Sequence, residues 1–164
     1  MEHYRTEGHD CQRSIGYLLR RATTLTVARL ESAFAEADIT FSQWVVLMQL
    51  RDGFARTASD IARNIGHDTG ALTRLIDQLE QRGLLERSRC REDRRVVRLH
   101  LTEAGRAAAQ AVTPVAVNFY NTVLDGFSAA EVDTLITLLS KYLVSVGGGQ
   151  LPPREPVEPA DIEP

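Results

Sequence analysis

The chain of 164 residues is poor in several features that mark specialised proteins. Its two cysteines, Cys11 and Cys90, are too few for a disulfide framework and indicate a reducing compartment. No apolar run approaches the ~18–20 residues that span a membrane, and the polar residues 1–10 contain no hydrophobic signal segment. We therefore expect a cytoplasmic protein that has no membrane partner.

Residues for catalysis or metal binding also lack any recognisable spacing. The four histidines are scattered along the chain, at His3, His9, His67 and His100. They show no ligand spacing with each other or with the cysteines. The sequence has no nucleophile motif, no phosphate-binding glycine loop and no paired carboxylates. We expect neither an enzyme nor a protein that holds a metal or a cofactor.

Positive charge is scarce overall but not locally. The formal net charge is −3, which taken alone argues against a nucleic-acid partner, because phosphate binding needs a surplus of basic side chains. Residues 41–106, however, hold twelve arginines against nine acidic residues. Residues 147–164 hold one arginine, four acidic residues and five of the six prolines. The negative balance belongs to this last segment, which we predict to be a disordered acidic tail.

Apolar periodicity predicts six helices, with a short hairpin between the fourth and the fifth. A flexible N-terminus (1–11) precedes the first helix, which is predicted over 12–37, about seven turns. Residues typical of helix N-caps open the later helices, at Thr40, Thr57, Asp68, Thr102 and Ser128. Glycines end three of them, at Gly53, Gly66 and Gly83. In the fifth helix the residues predicted to face inward are Ala108, Ala111, Val112, Val115, Phe119 and Val123.

Residues 40–101 have the order of a winged helix-turn-helix. Residues 84–89 and 96–101 are predicted to form two short strands, and the polar stretch 90–95 joins them as a hairpin tip. The predicted fold is therefore mainly α with a small β-hairpin wing. On the fourth helix an apolar stripe leaves a polar face that suits the major groove of DNA. The candidate contacts on this face are Thr69, Gly70, Thr73 and Arg74.

The hairpin tip is rich in arginine, which suits a narrow and strongly negative minor groove. The candidate contacts of the wing are Arg87, Arg91, Asp93, Arg94 and Arg95. An acid next to phosphates is unfavourable, so we expect Asp93 to pair with Arg95 or another neighbouring arginine and to orient it. Arg74 on the fourth helix is the best candidate for a guanine contact or a phosphate clamp.

Several short motifs stand in a consistent order along residues 12–146. They are Ile39-Thr40-x-x-Gln43-Trp44, Asp60-Ile61-Ala62, Leu72-Thr73-Arg74-Leu75-Ile76-Asp77-x-Leu79-Glu80-x-x-Gly83-Leu84-Leu85-x-Arg87, Asp93-Arg94-Arg95 and Leu99-x-Leu101-Thr102-x-x-Gly105. Together they resemble the MarR family of bacterial transcription regulators. Each motif alone is weak, whereas their combination is specific.

The resemblance implies a homodimeric DNA-binding regulator. Helices at 12–37 and 102–146 would intertwine as the dimer interface, and two winged domains (40–101) would grip a pseudo-palindromic operator. Family members usually repress a nearby operon, and many release DNA when a small, often aromatic and anionic, effector binds. By the same resemblance, Asp93 and Arg95 match the wing motif, and Arg95 would reach the minor groove.

The effector site and the switch are open to more than one interpretation. Tyr17, Arg20 and Arg21 on the first helix could supply an aromatic wall and a partner for a carboxylate. Trp44 is a core residue that, by the resemblance, lies near the effector cleft. One alternative is a thiol-based redox sensor that uses Cys11, since related peroxide sensors keep a reactive cysteine there. Another is a winged-helix interaction module without DNA binding, although such a module would tend to lose its basic wing.

Overall fold

The computed structural model describes residues 3–8, 10–66, 69–89 and 95–148. The chain divides into two units, Met1–Val123 and Leu124–Pro164. In order, the first unit contains α1 (Ile15–Ala33), α2 (Phe41–Arg51), α3 (Ala58–Ile65), α4 (Thr69–Gln81), β1 (Leu85–Arg89), β2 (Val97–Leu101) and α5 (Glu103–Val123). The second unit contains α6 (Ala129–Ser145). The predicted fold class, mainly α with one hairpin, is confirmed.

Capping residues set the helix starts where the sequence predicted them. At Thr40, Thr57 and Ser128 the side chain accepts a hydrogen bond from the third backbone N–H of its helix, and the third side chain returns one to the cap. Gly66 ends α3 in the left-handed conformation, with φ of 64°, which glycine adopts at little cost. Asp68, the predicted cap of α4, lies outside the described residues.

The first helix is shorter than predicted at both ends. Residues Cys11–Arg13 form a separate 3₁₀ turn, and α1 begins after Ser14, whose hydroxyl accepts from the N–H of Tyr17. At the other end α1 stops at Ala33, and the following turn is closed by a hydrogen bond from the N–H of Ala37 to the carbonyl of Phe34. The apolar period continues through both ends because Ile15 and Phe34 keep helical spacing, which hides the change in the backbone.

The two strands form an antiparallel pair in which Arg87 lies opposite Leu99. Leu85 and Leu99 are buried, so one face of the hairpin closes the core of the winged domain. On its other edge, β2 is joined to the loop before α3, since the N–H of Leu99 donates to the carbonyl of Arg56 at 2.8 Å. β2 is therefore hydrogen-bonded on both edges, to β1 on one side and to the loop before α3 on the other.

Two apolar clusters hold the first unit together. The larger one lies between α2, α3, α4 and the hairpin, and its most buried members are Val46, Leu47, Ile61, Ile76 and Leu79. The smaller one joins α1, α2 and α5 through Leu30, Phe34 and Ala116, with Phe41, Trp44 and Phe119 packed against it. Because α2 contributes to both clusters, it connects α1 to the winged domain.

The inward face of α5 matches the prediction in part, since Ala108, Val112, Val115 and Phe119 pack against the two apolar clusters. Its fully buried residues are small ones, Gly105, Ala109 and Ala116, whereas Ala111 and Val123 are exposed. A side chain at Gly105 would collide with the backbone carbonyl of Leu84, so the first turn of α5 packs directly on the chain that leads into β1. This close approach of two backbones requires a glycine at position 105, which the apolar periodicity does not show.

The second unit presents many apolar side chains to solvent. After its capping box, α6 has six exposed large hydrophobic residues: Leu135, Ile136, Leu138, Leu139, Leu143 and Val144. Val132 and Tyr142 are half-buried. Residues 149–164, most of the predicted acidic tail, lie outside the described residues. None of the helices in the described ranges is both long and apolar enough to cross a membrane.

Candidate nucleic-acid interface

The face of α4 that points away from the core carries the side chains predicted to read DNA. Three predicted contacts are exposed there: Gly70, Thr73 and Arg74. On the opposite face Leu72, Ile76 and Leu79 are fully buried, three or four residues apart, which fixes the rotation of the helix about its axis. Thr69 begins α4, and its side chain is outside what the structure describes.

Arg87 on β1 is tied to α4 by two carboxylates. Its guanidinium donates to Asp77 Oδ1 at 2.6 Å and to Glu80 Oε2, and its backbone N–H donates to Glu80 Oε1 at 3.2 Å. Partial burial acts to lower the pKa of Arg87, but the hydrogen bonds and charges of Asp77 and Glu80 outweigh it and raise the pKa. This side chain therefore joins α4 to the wing, and its predicted phosphate contact stays a prediction.

The wing carries arginines toward its tip. Arg95 is exposed at the start of the returning chain, and Arg89 is exposed at the end of β1. Across the two strands, Ser88 Oγ and His100 Nε2 lie 2.9 Å apart and form a hydrogen bond. Three residues predicted to act at the tip, Arg91, Asp93 and Arg94, lie outside the described residues, so the orienting role of Asp93 stays a prediction.

A polar network that the sequence analysis missed joins α4 to the start of α2. Gln43 is only 8 % exposed, and its Oε1 accepts from the N–H of Thr40 at 3.2 Å and from Arg82 at 3.3 Å. Its amide nitrogen donates to Gln78 Oε1 at 3.4 Å, and Arg82 also pairs with Asp38. The capping motif was the one visible signal, but it does not show that Gln43 also receives a hydrogen bond from Arg82, which directly follows α4.

Trp44 is built into the smaller apolar cluster. Its ring lies 5.7 Å from that of Phe34 and 5.9 Å from that of Phe41, centroid to centroid. Its indole N–H donates to the carbonyl of Ala109 at 3.2 Å and to the hydroxyl of Thr113 at 3.4 Å. Trp44 therefore ties α2 to α5 as part of the core, while its predicted effector contact stays a prediction.

The other predicted effector residues lie in the first half of α1. Tyr17 is half-buried and its hydroxyl accepts from Arg21 at 3.2 Å, while Arg20 and Arg21 are exposed. Thirteen residues separate Tyr17 from Leu30, which is about 20 Å along the helix axis at 1.5 Å per residue. Leu30 and Trp44 belong to the same apolar cluster. A single chain therefore does not bring Tyr17 and Trp44 into one site.

Cys11 lies at the start of the 3₁₀ turn and is exposed as a free cysteine. Its carbonyl accepts a hydrogen bond from the hydroxyl of Ser14 at 2.7 Å. A redox role for this thiol stays a prediction. In the ranges that the structure describes, no three histidine, cysteine or acidic side chains group in a way that could hold a metal ion.

Comparison with known proteins assigns this architecture to a family. BpsR from Bordetella bronchiseptica, described for the regulation of its DNA binding by 6-hydroxynicotinic acid, is 31% identical, with a TM-score of 0.70 over 82% of this chain and 96% of BpsR. Apo MarR from E. coli is 30% identical, with a TM-score of 0.68 over 79% of this chain and 97% of MarR. A mutant MarR complexed with operator DNA is also 30% identical, with a TM-score of 0.68 over 82% of this chain and 99% of that one. The model of the MarR family matches residues 39–97.

The chain belongs to the MarR family. MarR-family regulators are DNA-binding transcription factors and not enzymes, so this chain is a transcriptional regulator with a winged helix-turn-helix. The matched range 39–97 covers α2 to the first residue of β2, which includes the exposed face of α4. The structural likeness extends well beyond that range, to about four-fifths of the chain.

Membership of the MarR family also puts the motifs in context. The residues between Leu72 and Arg87 that carried the resemblance include both partners of the Arg87 tie, Asp77 and Glu80. The glycine that closes the last motif, Gly105, is the one that packs against Leu84. In this chain both motifs therefore have a structural explanation, which is the attachment of the wing to its neighbouring helices.

Proposed function

We propose that the protein is a homodimeric repressor that binds a pseudo-palindromic operator and is released by a small anionic effector. In this proposal α4 enters the major groove and the wing reaches the adjacent minor groove. The main supporting observation is the rotation of α4, which buries its apolar stripe and leaves Thr73 and Arg74 on the exposed face. The operator complex of the similar E. coli MarR supports the same partner.

Exposed apolar side chains support the proposed dimer. On α1 they are Ile15, Leu18, Leu25 and Val27, on α5 Val117, Tyr120 and Val123, and on α6 the six named above. Large apolar patches on a soluble chain commonly mark an interface. The helices concerned are those that the family resemblance assigns to dimerisation, and a two-fold dimer would present two copies of α4 to two half-sites.

Release by an effector is supported by the similar protein BpsR, whose DNA binding is regulated by 6-hydroxynicotinic acid. For this chain the effector contacts that we propose are Tyr17, Arg20, Arg21 and Trp44. Since one chain does not bring Tyr17 on α1 and Trp44 on α2 into one site, these residues would contact the effector at separate sites or would meet only across the dimer.

The first test is binding to the DNA upstream of the protein's own gene. Fluorescence anisotropy should give a Kd of about 10⁻⁸–10⁻¹¹ M for this DNA, and binding to random DNA of equal length should be at least ~10³-fold weaker. Equal affinity for both DNAs would contradict specific operator recognition. No binding to either would instead favour a protein-interaction module.

Two arginine variants separate base reading from phosphate binding. Arg74→Ala should cost about 1–3 kcal/mol on the specific DNA and relax the preference over random DNA. Arg95→Ala should weaken binding to both DNAs and reduce the slope of log Kd against log salt by about 1. Arg29→Ala removes an exposed arginine from α1 and is the matched control. It should change neither the preference for the specific DNA nor the slope of log Kd against log salt. Unaltered discrimination in Arg74→Ala would exclude the role assigned to α4.

The dimer is tested by sedimentation equilibrium. Leu138→Glu places a charge at the most exposed leucine of α6, which is 59% exposed, and should produce monomers that bind operator DNA poorly. Gln110→Glu adds the same charge at an exposed position of α5 away from the exposed apolar residues and should remain dimeric. A dimer of unchanged affinity in Leu138→Glu would remove α6 from the interface.

A further inference from the structure

A cavity of about 370 Å³ lies at the base of the wing, on the winged domain itself. Its walls come from the end of α2, the loop that leads to α3, the strand β2 and the first turn of α5. Apolar side chains line part of it: Leu50, Leu99 and Leu101. The volume is near the lower limit of ligand pockets, about 300–1,000 Å³, so a compact molecule fits it.

The polar part of this cavity is cationic. Among the residues that the structure describes, four arginines line it, namely Arg51, Arg56, Arg98 and Arg106, together with His100, and none of these described lining residues is acidic. These arginines come from four different elements: α2, the following loop, β2 and α5. Their convergence is a product of the fold, because no two of them are closer than five residues in the sequence.

Two of the four guanidinium groups are committed within the fold. Arg51 Nε pairs with Asp52 Oδ1 at 2.7 Å, and Arg106 donates to the carbonyl of Leu101 at 2.9 Å. Within the described part of the chain, the guanidinium groups of Arg56 and Arg98 make no hydrogen bond or ion pair. Like charges that converge on a concave surface repel each other, and a bound anion relieves that repulsion.

We propose that this cavity binds a compact anion with at least two negative charges on oxygen, such as a phosphate compound or a polycarboxylate. Guanidinium groups match this chemistry, because their planar N–H pairs donate two parallel hydrogen bonds to carboxylate or phosphate oxygens. Arg56 and Arg98 supply these donors, Arg106 supplies further positive charge, and the leucines exclude water from one side.

The position of the cavity favours a small anion over a DNA phosphate. The cavity begins at Arg98, near the end of β2 that follows the proposed DNA-reading tip, and extends past Leu101 to Arg106 in α5. Leu101 is four positions beyond Val97, about 13 Å along the strand, so the cavity extends well away from the tip. The cavity is also recessed and partly apolar, while phosphate contacts are made by protruding side chains.

The anion would act on the strand that carries the wing. Leu99 both lines the cavity and donates its N–H to the carbonyl of Arg56, so a ligand between Arg56 and Arg98 contacts both sides of that junction. Filling the cavity would change the position of β2 and hence of Arg95. This regulatory consequence rests on the proposed function, whereas anion binding itself does not.

The test is calorimetric titration of the full chain, without DNA, with inorganic pyrophosphate and separately with citrate at fixed ionic strength. At least one of them should bind one site per chain, and acetate should bind at least tenfold more weakly. Arg56→Gln combined with Arg98→Gln should weaken binding about tenfold or more. The matched control, Arg29→Gln with Arg89→Gln, removes two exposed arginines outside the cavity and should bind within twofold of the wild type.

Three results would overturn the proposal. They are a wild type that binds neither anion, an equal loss of anion binding in both double variants, and a loss of operator affinity in Arg56→Gln/Arg98→Gln with no loss of anion binding. The last would assign the arginines to DNA. Thermal unfolding monitored by circular dichroism verifies that each variant is folded. If a double variant does not fold, its two single variants are titrated instead. Because the titration contains no DNA, its failure is distinguishable from a failure of operator binding.

Discussion

Carboxylate side chains stabilise helix starts in this fold, both from within a helix and from a neighbouring one. Asp60, the third residue of α3, accepts hydrogen bonds from the N–H groups of Arg56 and Thr57 at 3.2 and 3.0 Å. Glu31 on α1 accepts from the first two N–H groups of α2, at Phe41 and Ser42. The N–H groups of Phe41 and Ser42 have no partner inside α2, and those of Arg56 and Thr57 lie just before α3. Each carboxylate therefore satisfies donors at a helix start and complements the helix dipole.

Asp60→Asn should reveal this contribution through its pH dependence. Partial burial acts to raise the pKa of Asp60, but hydrogen bonds from Thr57 and Arg56 and the charge of Arg63 lower it below its ordinary 3.8. A lowered folded-state pKa stabilises the fold above the unfolded-state value and loses that effect as the pH falls through the folded value. The variant should therefore lose about 0.5–2 kcal/mol at pH 7, and the difference should shrink below about pH 4.

Urea unfolding between pH 7 and pH 3 measures this difference. Asp125→Asn is the control, since Asp125 is exposed in the turn before α6, and its unfolding free energy should stay within about 0.5 kcal/mol of the wild type. A difference between Asp60→Asn and the wild type that does not vary with pH would mean that the charge of Asp60 contributes nothing.

At the scale of single elements, the helices that open on a capping box were predictable from the sequence and the ends of α1 were not. The caps of α2, α3 and α6 are local interactions over four residues, so the sequence contains all that decides them. The end of α1 is decided by a tertiary contact, because Phe34 is buried against Phe41 and Trp44. The close packing of Gly105 on Leu84 was not predictable for the same reason, since it depends on how closely the chain before β1 approaches α5.

Gly105→Ala should be strongly destabilising. A methyl group there collides with the carbonyl of Leu84, and a backbone oxygen cannot move aside as a flexible side chain can. We expect a loss of about 1–3 kcal/mol or more in unfolding free energy. Gly16→Ala, within α1 and with open space around it, should instead stabilise the protein by about 0.5–1 kcal/mol. Denaturant unfolding of both variants measures these changes in unfolding free energy. Changes of the same sign in the two variants would contradict the close contact at Gly105.

Arg87→Ala should loosen the attachment of β1 to α4. The substitution leaves the carboxylates of Asp77 and Glu80 close together without their shared cation. Because the Arg87 side chain is 30% exposed in the native protein, we expect a modest loss of about 1–2 kcal/mol in unfolding free energy. Arg89→Ala removes the same charge from the same strand, where no carboxylate holds it in the described residues, and should cost less than about 0.5 kcal/mol. The difference in unfolding free energy between the two variants, measured by urea unfolding, should become smaller at high salt. Equal losses would show that Arg87 contributes only charge.

In the candidate site, too, the features decided by local sequence were predictable and those decided by tertiary contacts were not. The exposure of Arg74 was predictable, because the apolar period of α4 determines which face is buried. The tie between Arg87 and two carboxylates was not, since it depends on where β1 crosses α4. The cavity at the base of the wing was also invisible in the sequence, as its arginines come from four separate elements.

At the scale of the whole molecule, charge is distributed unevenly. Residues 1–146 hold eighteen basic and eighteen acidic side chains, so the net charge of −3 resides in residues 147–164. An average over the chain therefore hides the arginine-rich wing. By electrostatics, an acidic segment attached to a basic DNA-binding surface competes with phosphates for that surface.

Deleting residues 147–164 should raise affinity for random DNA about threefold at low salt, and the gain should vanish at high salt as the charges are screened. Anisotropy titrations at two salt concentrations measure it. A chain of full length in which the four acids of this segment are replaced by Gln or Asn should behave like the deletion. If neither variant binds random DNA more tightly, the segment has no competitive role.

The contact at Gly105 has a mechanical consequence. A joint made of two backbones has no side-chain rotamers that could absorb a displacement, so the chain that leads into β1 and the first turn of α5 must move together. α5 has 21 residues and is about 30 Å long, so a tilt of about 5° at this joint displaces its far end by roughly 2.6 Å. A pivot of α5 about this joint would therefore magnify small movements of the wing at the far end of the helix.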